Sequence, residues 1–203
     1  MMGESIFNTK FQQKSIASKI IVGLERISEA FKVILWEHAK VIGVSPIQIQ
    51  ILIFIAYHKA ELCNVSHLAK EFNITKPTVS DAVRVLNNKK FIIKDYSLTD
   101  SRSYSILLSK LGKKTVLETE NFANPLKDHL SGIKEIDLEI VFESLTKLIY
   151  QLNKTGVLSV QRSCFSCNFL TKSENKNYCN LIKKKLLSSD IRLDCPEHEA
   201  LVV

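Results

Sequence analysis

The residues most able to do chemistry lie near the C-terminus. Cys164 and Cys167 flank Phe165-Ser166; Cys179 follows after eleven intervening residues (168 to 178), and Cys195 after fifteen more (180 to 194). Four thiolates within about thirty residues suit a tetrahedral zinc ion, the first pair forming a knuckle around the metal. The second pair is not a knuckle, and Cys195 precedes Pro196, a pairing that also suits an iron–sulfur cluster. His198, three residues on, can replace one thiolate or support the site from behind. Four cysteines close a metal's shell, whereas a catalytic zinc keeps an open position, so no enzyme activity is expected.

A second concentration of chemistry is basic. Between Asn64 and Thr115 there are ten Lys/Arg (Lys70, Lys76, Arg84, Lys89, Lys90, Lys94, Arg102, Lys110, Lys113, Lys114) against four acids (Glu71, Asp81, Asp95, Asp100), a balance of +6. The whole chain of 203 residues carries only +7. Charge gathered in this way is what phosphate binding requires. Thr75 is a good N-cap for a helix from Lys76 to about Asn88, whose Val79, Ala82, Val83 and Leu86 face inward. The other side then presents Lys76, Pro77, Thr78, Ser80, Asp81 and Arg84. Small polar residues at a helix N-terminus can approach phosphates and base edges closely, and Arg84 can bond a guanine or a phosphate.

The elements that position these groups follow from periodicity. Ile16, Ile20, Leu24, Ile27, Phe31, Ile34, Leu35 and Val41 recur at helical spacing, which predicts one long helix over 15–41. Gly43 breaks it, and Ser45-Pro46 starts a second helix, to about His58, that is apolar nearly all round and must be buried. Val65, Leu68, Ala69 and Phe72 form the face of a short helix, with Asn73-Ile74 as the turn into the helix capped by Thr75. Phe91–Ile93 and Ser105–Leu108 read as two strands of a hairpin. After Gly112 a helix runs to about Leu130 with a kink or break near Pro125, and a last amphipathic helix spans Ile136 to Asn153, ended by Thr155-Gly156.

Hydrophobic residues make up 45% of the chain and charged residues 24%, ordinary proportions for a folded protein. The most apolar run, Ile47 to Tyr57, is too short to span a bilayer, and the N-terminus has no secretion signal. A cytoplasmic location is therefore expected, where thiols stay reduced and the cysteines are metal ligands or free thiols rather than disulfides.

The order helix, helix, short helix, turn, capped helix, hairpin is a winged helix-turn-helix. At this point the sequence resembles the MarR family of bacterial regulators over roughly Ser15 to Asn153. The resemblance rests on Ser45-Pro46-Ile47-Gln48-Ile49-Gln50-Ile51-Leu52, on Leu68-Ala69-Lys70 through Thr75-Lys76-Pro77-Thr78-Val79-Ser80, and on Asp100-Ser101-Arg102 with Leu108-Ser109-Lys110-Leu111-Gly112. One departure is Phe91, where the family has a glycine-hydrophobic pair; Asn88-Lys89-Lys90 takes up the turn here. The resemblance implies double-stranded DNA as partner, a wing arginine at Arg102 that enters the minor groove with Asp100 orienting it, and a two-fold homodimer built by the long terminal helices.

The expected fold is mainly α: a winged helix-turn-helix with dimerisation helices over 1–156, followed by a cysteine-rich metal-binding tail over 157–203. The function expected is transcription regulation on a palindromic operator, modulated by a small ligand or by the metal or redox state of the tail. Trp36, His38, Phe54, Tyr57 and His58 could line an effector pocket, although aromatic residues at helical spacing are usually packing. Lone Cys63 reads as buried and inert, with redox sensing as the alternative. The competing function is a metal- or redox-sensing protein whose winged helix binds protein.

Overall fold

The computed structural model describes residues 5–96, 104–173 and 176–201. A short helix α1 (Thr9–Gln12) precedes α2 (Ile16–Ile42), which Ser15 caps at 3.4 Å from the Ser18 N–H and which ends at Gly43 in the left-handed conformation (φ 70°). Then α3 (Pro46–Tyr57) starts where the Gln48 side chain accepts the Ser45 N–H at 2.8 Å. As the nearly all-apolar sequence requires, α3 is the centre of the domain, with Ile49, Ile51 and Leu52 fully buried.

Around α3 stand the helix-turn-helix, α4 (Val65–Glu71) and α5 (Lys76–Asn88), and a two-stranded antiparallel hairpin, β1 (Ile92–Asp95) and β2 (Ser105–Leu108), in the register Ile92 to Leu108. Leu68, Val79, Val83, Leu86 and Ile106 are completely buried in one apolar cluster with α3. Each such side chain contributes roughly 1.5–3 kcal/mol by leaving water. The hairpin is anchored to the helices where the Ile106 N–H donates to Cys63 O at 2.7 Å.

The strand β1 begins one residue later than expected, because Phe91 turns into the core and Lys90 takes the left-handed conformation (φ 63°) that a glycine would adopt more easily. Gly112 also differs from expectation. It does not precede a helix but lies inside one, α6 (Lys110–Thr119), which Ser109 starts by accepting the Gly112 N–H at 3.0 Å. The break expected near Pro125 comes just before it, and Pro125 sits in the first turn of α7 (Asn124–Leu130), where its missing N–H costs nothing. The last long helix is α8 (Glu135–Lys154), followed by Gly156 at φ 78°.

Both long terminal helices leave apolar side chains in water. Ile16, Ile20, Ile27 and Trp36 on α2 are at least half exposed, as are Ile136, Ile140 and Val141 on α8. No single described helix is long and apolar enough to cross a membrane; only α2 and α3 together, bent by 88°, meet that measure, and α3 is the buried core helix.

Beyond α8 the chain makes a small three-stranded antiparallel sheet, β3 (Leu170–Ser173), β4 (Lys176–Cys179) and β5 (Lys184–Leu186), in sequence order. Sequence periodicity missed this sheet because strands this short, rich in Lys, show no alternation long enough to read.

Candidate nucleic-acid interface

Helix α5 is built to expose its N-terminus. The Thr75 hydroxyl accepts the Thr78 N–H at 3.3 Å and lies 2.8 Å from the Thr78 hydroxyl, so both threonines are fixed at the start of the helix. With Val79, Ala82, Val83 and Leu86 buried, Lys76, Pro77, Thr78, Ser80, Asp81 and Arg84 all lie exposed, together on the outer side. Arg84 is not alone there. One guanidinium nitrogen donates to Asp81 Oδ1 at 2.8 Å, with 66% and 70% of the two side chains exposed. An ion pair so open to water is worth well under about 1 kcal/mol, so Arg84 can leave it for a phosphate at little cost.

Among the other basic residues, Lys89 is spent on structure: its ammonium donates to Gly43 O at 2.6 Å, closing the C-terminus of α2. Lys94 stands 4.5 Å from the centre of the Tyr104 ring, and the Tyr96 and Tyr104 rings are 5.5 Å apart, so the base of the wing is a cation–aromatic cluster. The sequence signal for it was present but unread, since pairing β1 with β2 puts the residue after β1 beside the residue before β2. Arg102, with Asp100 and Ser101, lies outside the described residues.

The five residues considered for one effector pocket do not converge. Trp36 lines a cavity of about 890 Å³ with Leu24, Ile27 and Phe31 of α2, Gln50 of α3 and Phe122. Tyr57 and His58 line another, of about 680 Å³, between the helix-turn-helix and the tail. The Phe54 ring is buried and stacked on the His58 ring (3.7 Å, 6°), and His38 bonds the Ile34 carbonyl at 3.1 Å. Cys63 is buried, its thiol donating to Lys59 O at 3.4 Å, and burial pushes its pKa up to about 11, away from reactivity.

In the tail, a 3₁₀ turn over Cys164–Ser166 carries the first cysteine pair, and the Cys167 N–H donates to Cys164 O at 3.1 Å. The Cys195 N–H donates to Arg162 O at 3.0 Å, and Cys179 pairs with Leu170 across β3 and β4. His198 turns its Nε2 to the Ser166 carbonyl (3.1 Å) and hydroxyl (3.0 Å), against the back of the cysteine turn. All four cysteines are free thiols, and among the described residues no three His, Cys, Asp or Glu side chains are grouped so as to hold a metal ion.

Sequence reasoning also missed how the tail meets the helix-turn-helix. Arg162, 12% exposed, makes a bidentate pair with Glu71 at the end of α4 (2.7 and 2.9 Å) and donates its Nε to Asp194 at 2.6 Å. Asp194 in turn lies 2.8 Å from His58 Nε2. Burial works against both charged groups. The mutual hydrogen bonds nonetheless raise the Arg162 pKa and hold Asp194 below the usual carboxylate range. Nothing in the sequence marks Arg162, because its partners are 91 and 32 residues away.

Comparisons with known proteins bear on this arrangement. No curated protein matches the chain. Among solved structures, an S. aureus MepR–DNA complex is 25% identical with a TM-score of 0.57, covering 64% of this chain and 95% of that one. A MarR protein from Peptoclostridium difficile is 17% identical (TM-score 0.60, 70% of this chain and 92% of that one). A MarR transcriptional regulator from Methanosarcina mazei Go1 is 18% identical (TM-score 0.58, 67% and 97%). The fold is thus the winged helix of these regulators, and residues 42–103, from the end of α2 through α5 and into the wing, match the model of the MarR family.

Proposed function

We propose that the chain is a MarR-type transcription regulator that binds double-stranded DNA. One observation carries the reading. Helix α5, packed by four buried side chains, holds Lys76, Thr78, Ser80 and Arg84 on an exposed face beside the hairpin that carries Lys94. Such a helix enters a major groove N-terminus first, while the hairpin reaches along the backbone. S. aureus MepR, a neighbour of the same fold, has been solved in complex with DNA. The half-exposed apolar residues on α2 and α8 favour a homodimer, whose two-fold axis would match a palindromic site. The cavity beside Trp36 lies on that face and is a candidate for a small apolar effector.

The test is fluorescence anisotropy on labelled duplexes selected from a random library, read across a salt series. Arg84→Ala and Lys76→Ala are each expected to flatten the log–log salt slope by about 0.9 per lost phosphate contact. Asp81→Asn, which frees Arg84, is expected to tighten binding at low salt. Unchanged affinity and slope in both alanine variants would overturn the assignment.

A further inference from the structure

We propose that the cavity of about 680 Å³ between the helix-turn-helix and the tail binds a small uncharged molecule, apolar in body and carrying both a hydrogen-bond donor and an acceptor. The site is separate from the cavity beside Trp36, and half of its wall comes from residues 159–200, beyond α8.

Two orphaned polar atoms carry the site. Among the described residues, His67 Nε2 and Gln161 Oε1 are the buried side-chain polar atoms that make no hydrogen bond, and both residues line this one cavity. His67 Nε2 stands 3.6 Å from Glu71 Oε2, too far for a hydrogen bond, and both Glu71 oxygens already accept from Arg162 at 2.7 and 2.9 Å. Gln161 precedes Arg162, and its amide nitrogen donates to the Ser163 hydroxyl at 2.8 Å, which leaves the carbonyl oxygen without a donor. The two orphans thus flank one ion pair at the seam. An unmade buried hydrogen bond costs more than a made one gains, so two in one wall call for a partner that completes both. Burial keeps the His67 ring neutral by lowering its pKa, and the carboxylate beside it favours the tautomer with the proton on Nε2. The ring therefore offers an N–H and the amide a C=O, and a guest must bring an acceptor for the first and a donor for the second. Both groups end in torsions of broad preference, so a small turn brings each onto a guest in the cavity.

The charges of the wall are already answered. Arg162 pairs with Glu71 and Asp194, Lys59 pairs with Glu197 at 2.9 Å, and Lys70 shares the rim with Glu61. A charged guest would disturb that balance, whereas an uncharged one lies against Leu62, Val160 and Pro196. Ser159, also in the wall, links the site to the helix-turn-helix. Asn73, in the turn between α4 and α5 (φ 51°), donates to Val157 O at 2.7 Å and accepts from the Ser159 hydroxyl at 2.7 Å. A guest in the seam therefore fixes the segment that holds this turn, and with it the angle at which α5 leaves. That last consequence rests on the DNA-binding reading above.

The experiment uses the full chain and carbostyril, a bicyclic lactam with one N–H and one C=O on an apolar body. Calorimetric titration is expected to show saturable binding. N-methylcarbostyril, which lacks the donor, and naphthoate, of similar size but charged, are each expected to bind about tenfold more weakly. Controls that bind as well as carbostyril overturn the ligand class, and no binding of carbostyril overturns the site. His67→Phe, which keeps a ring and removes the nitrogen, is expected to lower carbostyril affinity by about tenfold. Hydrogen exchange places the site without a variant that might misfold. Carbostyril is expected to slow exchange in residues 57–74 and 157–162, and protection confined to residues 24–36, beside the other cavity, overturns the placement. Anisotropy on a labelled duplex is expected to show about a threefold gain in DNA affinity with saturating carbostyril. Equal affinity with and without it overturns the link from seam to α5; exchange that responds in a protein that never binds DNA overturns the regulator reading and leaves the site standing.

Discussion

Replacing Gly112 by alanine isolates one contact between the wing and the helices. In an ordinary helix interior that change stabilises by roughly 0.5–1 kcal/mol, since alanine loses less backbone freedom on folding. Here a Cβ on Gly112 would sit 2.0 Å from Phe91 O and 3.3 Å from Leu108 Cδ2. The leucine can rotate away. The Phe91 carbonyl cannot, because it accepts the Ser109 N–H at 3.0 Å at the very cap of α6. Moving it more than an ångström costs an overpacking penalty of about 1–3 kcal/mol together with most of a hydrogen bond worth about 1 kcal/mol. The net expectation, after the helix gain is subtracted, is a loss of about 2 kcal/mol, or a fall in Tm of roughly 4–8 °C for a chain of this size. Gly23, inside α2, has nothing within 4 Å of its Cβ position, so Gly23→Ala gives the control with the opposite sign. Chemical denaturation followed by circular dichroism measures both. A Gly112→Ala protein as stable as the wild type, or more so, would refute the argument that α6 needs a glycine to approach Phe91.

Two further expectations concern titratable groups. Cys63, buried with its pKa pushed up to about 11, should resist a maleimide in the native protein at pH 7.5 and label only on unfolding. His67 has its pKa lowered from 6.5, chiefly by burial, with Glu71 pulling the other way and Arg162, His58 and Lys70 adding to the fall. The folded state thus disfavours the proton. Its contribution to stability is intact above pH 6.5 and is lost as the pH falls from there through the lowered folded value. Denaturation midpoints between pH 7.5 and 5 should fall less in His67→Gln than in the wild type, and equal slopes would remove His67 from the account.

What the sequence determined is what depends on neighbours a few residues apart. The bounds of α2, α3 and α5 follow from caps and breakers at Ser15, Gly43, Pro46 and Thr75, and the buried face of α5 follows from its period; each is a local property that one stretch of chain decides. The exposed Lys76 and Arg84 were legible for the same reason. What only the tertiary structure decided depends on residues far apart. Gly112 looked like a breaker because sequence shows a glycine's freedom but not the Phe91 carbonyl pressed against it. The aromatic residues of α2 and α3 shared a helical spacing yet went to different cavities, because α2 and α3 turn different sides to different partners. The clasp of Arg162 on Glu71 and Asp194 needed the tail folded back on α4. A buried ion pair leaves no period in a sequence, since it is made of single residues that only the path of the chain brings together.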